Sequence, residues 1–123
     1  MLADYKAENW TDPDKNPTGG AVHGVGLEIK WQEGPGGAVH GVGLEIKWQE
    51  GPLGRGTERK EPNGAFVETV IDACRQRIQF YQDSKFKCRE NAIAITKLEE
   101  ALMWLNKRTT DREKRQVEGE HKI

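Results

Sequence analysis

The sequence has 123 residues, of which 35% are hydrophobic and 32% are charged, and its formal net charge is -1. This length suits one compact domain with a modest core, which self-association would help to stabilise. A nearly neutral chain has no overall electrostatic attraction for nucleic acids or acidic membranes. No run of eighteen apolar residues predicts a membrane span, and the N-terminus lacks the pattern of a signal peptide, so a cytosolic protein is expected.

Composition divides the chain into four segments. Residues 1–18 are polar, contain two prolines and predict an irregular N-terminal arm. Residues 19–62 are rich in glycine and β-branched residues and predict strands. Residues 63–118 have helical periodicity and predict the domain for ligand binding and oligomerisation, and 119–123 form a tail. The predicted fold class is α+β, with antiparallel strands in a hairpin followed by a long antiparallel α-hairpin, in a homo-oligomer.

The strand segment is a tandem repeat, because GGAVHGVGLEIKWQEGP occurs at 19–35 and again at 36–52. Alternation of apolar residues predicts one strand in each copy. The alternating residues are Val25, Leu27, Ile29 and Trp31 in the first copy and Val42, Leu44, Ile46 and Trp48 in the second. The glycine-rich junction permits an antiparallel hairpin of the two strands. Alternatively, one copy pairs while the other loops out or serves another subunit.

Two helices are predicted after the repeat. Asn63 is the expected N-cap of a helix over about residues 65–82. Asp83-Ser84-Lys85 breaks the periodicity and is expected to cap a second helix that runs to about Arg115. The seam of the first helix is Val67, Ile71, Cys74, Ile78 and Tyr81, and that of the second is Asn91, Ile95, Leu98, Leu102, Leu105, Thr109 and Arg112.

The second helix is the longer one, at about thirty residues against about eighteen, and so passes the start of the first helix at about Trp104. We therefore expect the strands or another subunit to cover Trp104 and Leu105. Asn91 and Arg112 share one face but lie about 32 Å apart by helical rise. A nucleotide-sized ligand meets both only if two chains pack antiparallel, with the pocket at their interface.

The residues with binding chemistry lie at the two ends of the α-hairpin. Arg108, Arg112 and Arg115 share one face of the second helix, and guanidinium groups bind phosphates bidentately. The alternative is a solvated helix end whose cations complement the helix dipole. Near the turn, Tyr81 is suited to stacking on a base and Asn91 to bonding its edge, with core packing as the alternative.

The sequence predicts no enzyme and no metal site. It contains no nucleophile elbow and no clear Ser/His/Asp grouping. His23 and His40, one in each repeat, lack partners at metal-ligand spacing, and their glycine-rich surroundings precede a strand where a phosphate-binding loop precedes a helix. Cys74 and Cys88 are too far apart along the hairpin for a disulfide and are expected to be inert thiols.

Three stretches carry a family resemblance: EPNGAFVE at 61–68, KFKCRENAIAITKLEEALMWL at 85–105 and RTTDREKRQVEG at 108–119. They resemble the Thoeris anti-defence sponges of phages and the related anti-CBASS sponges, which share an α-hairpin domain. The resemblance implies a non-enzymatic protein without cofactors that acts in the host cytoplasm. It would bind glycocyclic ADP-ribose signals made by TIR-domain proteins, or cyclic di- or trinucleotides, without degrading them.

The resemblance also implies binding pockets between the protomers of a dimer or hexamer. Its ligand-binding positions fall on Tyr81, Asn91, Arg108 and Arg112 of this chain. Weaker candidates are Thr96, Arg89, Arg115, Arg55 and Arg59. The alternative function is a non-catalytic interaction module that docks onto a host or phage protein. Binding of nucleic-acid polymers is a third, weaker hypothesis.

Overall fold

A computed structural model of the chain describes residues 4–32, 43–51, 53–54 and 56–114, with only the backbone of 56, 113 and 114. The strands are β1 (Tyr5–Thr11), β2 (Pro17–Gly24), β3 (Leu27–Trp31) and β4 (Leu44–Ile46), and the helices are α1 (Val67–Gln82) and α2 (Arg89–Lys114), with a short 3-10 turn at Gly56–Glu58. The strands form one sheet in the order β1-β2-β3-β4, and each neighbouring pair is antiparallel. The predicted α+β class is confirmed.

The prediction of an irregular arm over residues 1–18 is wrong for β1. This strand pairs along its whole length with β2. The two prolines that favoured irregularity lie where a hairpin accepts them, Pro13 in the turn and Pro17 at the first residue of β2. The turn is closed by the Asp12 carboxylate, whose Oδ1 accepts the N–H groups of Asp14 and Asn16 at 2.9 Å each.

The two identical repeats have different structures. The first copy supplies most of β2 and all of β3, whereas the described part of the second copy supplies β4. Antiparallel pairing of β3 with β4 agrees with the predicted hairpin of the two copies. The strand within GGAVHG was missed because its glycines lower strand propensity. Val25, predicted in the strand, lies in the turn between β2 and β3 and is 48% exposed.

The prediction that Asn63 caps α1 is wrong. The N-cap position is Phe66, which makes no capping bond through its side chain. Asn63 instead binds the end of the second repeat: its Oδ1 accepts the N–H of Glu50 at 2.8 Å, and its own N–H donates to Gln49 Oε1 at 2.9 Å. The side chain is used to fasten the chain after β4 beside the start of α1.

The first helix lies between the sheet and α2. The core is formed by Val22, Leu27, Ile29, Ala65 and Ala73, with Tyr5, Trp31, Ile46 and Val70 packed around it. The most buried α1 side chains are Glu68, Thr69, Ala73 and Arg77, which are off the predicted seam. The predicted seam residues are half-buried or, for Val67, exposed. A helix that packs on two sides buries two faces, so a single stripe of apolar residues identifies only part of its buried surface.

The predicted seam of α2 is confirmed, because Ile95 is buried and the other six seam residues are half-buried. The connection between the helices is longer than predicted, and Ser84 does not cap α2. Cys88 precedes the helix, and its Sγ accepts the N–H of Asn91 at 3.4 Å. Gln82 fixes the same corner by hydrogen bonds to the N–H and the C=O of Cys88, both 3.0 Å long.

Arg108 marks the level at which α2 reaches the first turn of α1, since its side chain contacts Glu68. This is about one turn later than predicted, because α2 begins only at Arg89. Trp104 is 63% exposed and Met103 is 58% exposed, so the described part of the chain leaves this apolar surface uncovered. Cys74 and Cys88 are free thiols, and burial raises the pKa of Cys74. No described helix is apolar and long enough to cross a bilayer.

Candidate functional site

Tyr81 and Asn91 lie on either side of the connection between the helices. Tyr81 is in the last turn of α1 and is half-buried, with its ring centroid 6.0 Å from that of Phe80. Its backbone C=O accepts a 2.6 Å bond from the hydroxyl of Ser84, which fixes the start of the connection. Asn91 is half-buried in the first turn of α2. An aromatic ring and an amide are thus brought to the same end of the α-hairpin.

Arg77 is a component of this end that sequence reasoning missed. Its side chain is 3% exposed, and its Nη2 donates to the hydroxyl of Tyr81 at 3.0 Å. Its guanidinium carbon lies 4.8, 5.1 and 5.5 Å from the ring centroids of Tyr81, Phe80 and Trp31. The signal in the sequence was the spacing, since an arginine three and four residues before two aromatics shares their helical face.

The connection adds exposed cationic and aromatic surface. Phe86 is 52% exposed, and the Lys85 ammonium lies 5.4 Å from the centroid of its ring. Arg89, the first residue of α2, is exposed, as is Thr96, which follows Asn91 by five residues. The Thr96 hydroxyl donates its hydrogen to the Ala92 carbonyl at 3.2 Å, so the two lone pairs of its oxygen remain available to accept hydrogen bonds from a ligand.

The two predicted arginines lie at the opposite end of α2. Arg108 Nη2 is 3.6 Å from Oε1 of Glu68, and the Arg108 side chain is 57% exposed. Arg112 is half-buried one turn further along. Lys107 pairs with Asp111 at 3.0 Å on the exposed surface. This end therefore combines guanidinium groups with a nearly buried carboxylate that holds one of them.

A single chain does not bring the two ends together. Glu68, which contacts Arg108, and Tyr81 are thirteen residues apart on α1, about 20 Å by helical rise. Asn91 and Arg112 belong to one continuous helix, so the separation of about 32 Å expected from the sequence holds. The structure therefore groups Tyr81 with Asn91 and Arg108 with Arg112, as two half-sites.

The remaining predicted arginines are placed as follows. Arg59 is exposed, after the short 3-10 turn and before α1. Arg55 and Arg115 lie outside the described residues, as does His40.

A second concave surface lies on the face of the sheet away from α1. This open depression has a volume of about 580 Å³, and its polar lining comes from Glu8, His23, Glu28, Lys30 and Glu45. The His23 ring bridges two strands, with Nδ1 2.6 Å from Glu28 and Nε2 3.0 Å from Glu8. No group of three or more potential metal ligands meets among the described residues. His23 thus holds the carboxylates of Glu8 and Glu28 from the two neighbouring strands, and we call these three side chains the cross-strand clasp.

Comparison with known proteins addresses the helical part of the chain. The sequence profile of a family described as the Acb2/Tad1 hairpin domain matches residues 40–110, more than half of the chain. The protein belongs to the Acb2/Tad1 hairpin-domain family. The matched residues include α1, the connection and most of α2, and therefore both half-sites up to Arg108.

A curated relative of this Acb2/Tad1 hairpin protein is named "Thoeris anti-defense 1" and comes from Bacillus phage SBSphiJ7. The two are 63% identical over 59 residues, which are 48% of this chain and 42% of the relative. The chain thus spans less than half of the length of the relative it matches.

Proposed function

We propose that this protein is a phage anti-defence sponge that binds and sequesters cyclic ADP-ribose-type immune signals, glycocyclic ADP-ribose in particular, in the host cytoplasm. One observation carries the proposal: a hairpin of the Acb2/Tad1 family places an aromatic ring and an amide at one end and two arginines at the other. The anti-defence name of the Bacillus phage relative supports the biological role.

The chemistry of the two half-sites suits such a ligand. Cyclic ADP-ribose derivatives carry a pyrophosphate and an adenine. Arg108 and Arg112 neutralise the phosphates, Tyr81 stacks on the base, and the Asn91 amide bonds its edge or a ribose hydroxyl. Cyclic di- and trinucleotides contain the same groups and are further candidate ligands. These four side chains include no pair of nucleophile and general base, so the ligand is held without being broken down.

The proposal includes self-association, because the half-sites of one chain are too far apart for one nucleotide. Two chains that pack antiparallel place Tyr81 and Asn91 of one protomer beside Arg108 and Arg112 of its partner. Each pair of protomers then forms two equivalent pockets, as an isologous interface requires.

Mixing two inactive variants tests this arrangement. Tyr81→Ala and the double variant Arg108→Ala/Arg112→Ala are each expected to lose glycocyclic ADP-ribose binding in calorimetry. Unfolded together and refolded as a mixture, they form mixed pairs in which one of the two pockets has an intact set of side chains. Calorimetry should therefore recover binding at up to half of the pockets in these mixed pairs. A mixture that binds no better than its components would contradict a shared pocket.

The fate of the ligand tests sequestration against catalysis. Protein saturated with glycocyclic ADP-ribose is washed free of unbound ligand and denatured by heat, and the released molecules are identified by mass spectrometry. The sponge proposal expects the intact signal. Release of breakdown products alone would overturn it in favour of an enzyme.

The exposed Met103 and Trp104 favour a second candidate function, an interaction module that docks onto another protein. A thermal shift with a panel of cyclic nucleotides separates the two functions. A tight ligand in thousandfold excess over its Kd stabilises the protein by about 4 kcal/mol. The sponge proposal expects a rise in Tm with at least one member of the panel, whereas the interaction module expects none.

A further inference from the structure

We infer that Arg77, outside the predicted ligand-binding set, is the positioning residue for Tyr81 and makes its hydroxyl a hydrogen-bond donor toward an anionic ligand. This inference rests on the proposed function, and it adds a link from the sheet to the binding end of the α-hairpin. The link runs from the strands through Arg77 to Tyr81, whose ring and hydroxyl both touch the guanidinium group.

The environment of Arg77 is unusual for a buried cation. Its side chain is 3% exposed, and no carboxylate pairs with it in the part of the chain that the structure describes. A buried guanidinium is expensive unless its charge and N–H groups find partners. Here the faces of three aromatic rings lie against the charge, and three oxygen acceptors bind Nη1 and Nη2, whereas Nε has no partner among the described residues.

The strands fix the guanidinium from one side. Nη1 donates to the carbonyl of Gly19 at 2.9 Å and to Oδ1 of Asn9 at 3.1 Å. The Asn9 amide is itself held by a 3.1 Å bond to Oε1 of Gln76. Gly20 leaves the space that this approach needs, since a Cβ there would lie 2.6 Å from Nη1. With Nη1 bound to two strands, Nη2 has little freedom in where it points.

The other terminal nitrogen of the guanidinium, Nη2, determines whether the Tyr81 hydroxyl accepts or donates a hydrogen bond toward Arg77. Nη2 donates to the hydroxyl oxygen, so that oxygen is an acceptor in this bond. A phenol still has one hydrogen to donate. Within the described residues the Tyr81 hydroxyl takes part in one hydrogen bond, as the acceptor from Arg77, and donates its hydrogen to no protein group. The cluster also holds N–H donors without partners, at Trp31 Nε1, Gln76 Nε2 and Arg77 Nε.

Because the cluster around the hydroxyl presents N–H groups, the hydroxyl hydrogen is left for an acceptor outside the cluster, which under the proposed function is the ligand. A donor next to a fixed positive charge favours a phosphate or another anionic acceptor. Stacking by the ring and donation by the hydroxyl then act on one ligand together. Without Arg77 the ring gains rotational freedom and the hydroxyl loses its direction.

A double-variant cycle tests the coupling. Calorimetry with glycocyclic ADP-ribose is carried out on the wild type, Arg77→Met, Tyr81→Phe and the combination. Loss of a charge-assisted bond weakens binding by roughly tenfold, and we expect each single variant to lose about that much. If Arg77 acts through the hydroxyl, the combined loss is clearly smaller than the product of the two single losses. Losses that multiply would overturn the inference.

Fluorine NMR gives a measurement that does not depend on the ligand. Tyr5 and Tyr81 are the only two tyrosines, so protein labelled with 3-fluorotyrosine gives two signals. Arg77→Met should shift the Tyr81 signal and leave that of Tyr5. Arg75→Met is the matched control on the same helix: Arg75 pairs with Asp72, which accepts the hydroxyl of Tyr5, so the Tyr5 signal should shift instead.

Arg77→Lys provides a second variant in case the methionine variant does not fold. A lysine keeps the charge but not the fork that reaches Gly19 and Tyr81 at once. It should shift the Tyr81 signal and weaken binding less than methionine does. A folded Arg77 variant with an unchanged Tyr81 signal refutes the positioning role. Absence of binding by the wild type instead refutes the proposed function, while the fluorine signals still decide the role of Arg77.

Discussion

Arg108 connects the two helices through Glu68, whose side chain is only 7% exposed. A carboxylate this deeply buried is destabilised when a cation beside it is removed, although a half-exposed arginine at 3.6 Å contributes less than a fully buried one. A predicted ligand-binding residue is therefore also part of the helix packing. A phosphate that binds Arg108 approaches a site that already holds a carboxylate.

Arg108→Gln should lower the free energy of unfolding by about 1 kcal/mol in urea denaturation. The matched control is Lys107→Gln, which breaks the exposed pair with Asp111 and should cost less than about 0.5 kcal/mol. Equal losses for the two variants would mean that burial of Glu68 adds nothing to its ion pair with Arg108.

His23 gives the sheet a dependence on pH. Hydrogen bonds from its ring to Glu28 and Glu8 raise the pKa of His23 above its ordinary value of 6.5. Because the folded state binds the proton more tightly than the unfolded state, the stabilisation is complete below about pH 6.5 and is lost as pH rises through the folded pKa. His23 is on the exposed face, so the effect is modest.

Thermal unfolding followed between pH 5.5 and 8.5 should therefore show a Tm that falls with rising pH more in the wild type than in His23→Gln. The glutamine keeps a polar side chain between the two carboxylates but does not titrate. Identical pH profiles for the two proteins would show that the clasp carries no proton-linked stability.

At the scale of elements, the sheet and the start of α1 meet at Gly26. This residue has a φ of +70°, and a Cβ there would lie 2.4 Å from the carbonyl oxygen of Lys47 and 2.7 Å from the N of Ala65. The same backbone groups form hydrogen bonds that tie β4 to the turn and to the segment before α1. A side chain at this point would separate three pieces of backbone.

Gly26→Ala should destabilise the protein by about 3 kcal/mol or more, from left-handed backbone strain together with overlap. Gly51→Ala is the control, since its φ is +72° but no atom lies within 4 Å of a Cβ there. It should cost only the backbone term, about 1 kcal/mol. The difference between the two denaturation midpoints isolates the close approach, and similar midpoints would argue against it.

The buried residues of a helix could be predicted from this sequence where the helix buries a single face, because apolar periodicity identifies one face. The seam of α2 follows from its heptad spacing, since the helix packs along one side of α1. The buried residues of α1 were not predictable in this way, because its second face contacts the sheet through threonine, alanine and arginine. β1 was missed for a related reason: its side chains are mostly polar, and pairing with β2 makes it a strand.

The sequence predicted the ligand-binding side chains of the candidate site but not the residues that hold them in place. Tyr81, Asn91 and the arginines stand out by chemistry and by family resemblance. Arg77 and Glu68 do not, because a charged residue on a helix is expected at the surface until the structure shows what surrounds it. The spacing of Arg77 before Phe80 and Tyr81 indicates a shared helical face, but the burial of Arg77 and Glu68 became evident only once the sheet and α2 had been placed against α1.

For the whole molecule, the exposed surface around Met103 and Trp104 bears on assembly. Large apolar side chains that are 58% and 63% exposed are typical of interfaces. Under the proposed function this surface lies close to the arginine half-site, where the partner protomer is expected. Self-association and ligand binding should then depend on the same contact.

Trp104→Glu should reduce the mass measured by light scattering during size exclusion and should weaken glycocyclic ADP-ribose binding in parallel. Trp48→Glu changes a tryptophan that is 50% exposed beside Ala65, away from the helical seam, and should leave the mass unaltered. A wild-type protein that elutes as a monomer at all concentrations would contradict the shared pocket.

The tandem repeat has a further consequence for this fold. Because the two copies are identical in sequence, deleting 19–35 and deleting 36–52 give the same shorter polypeptide. One deletion variant therefore represents the loss of either copy. The remaining copy can then occupy one of two positions in the sheet. One is the interior position of β3, where Leu27 is 1% exposed, and the other is the position of β4 at the rim of the sheet, where Leu44 is 46% exposed. Burial favours the interior, and the trimmed protein should keep a three-stranded sheet with its tryptophan against Arg77. Circular dichroism and tryptophan emission would show whether the rim strand is dispensable.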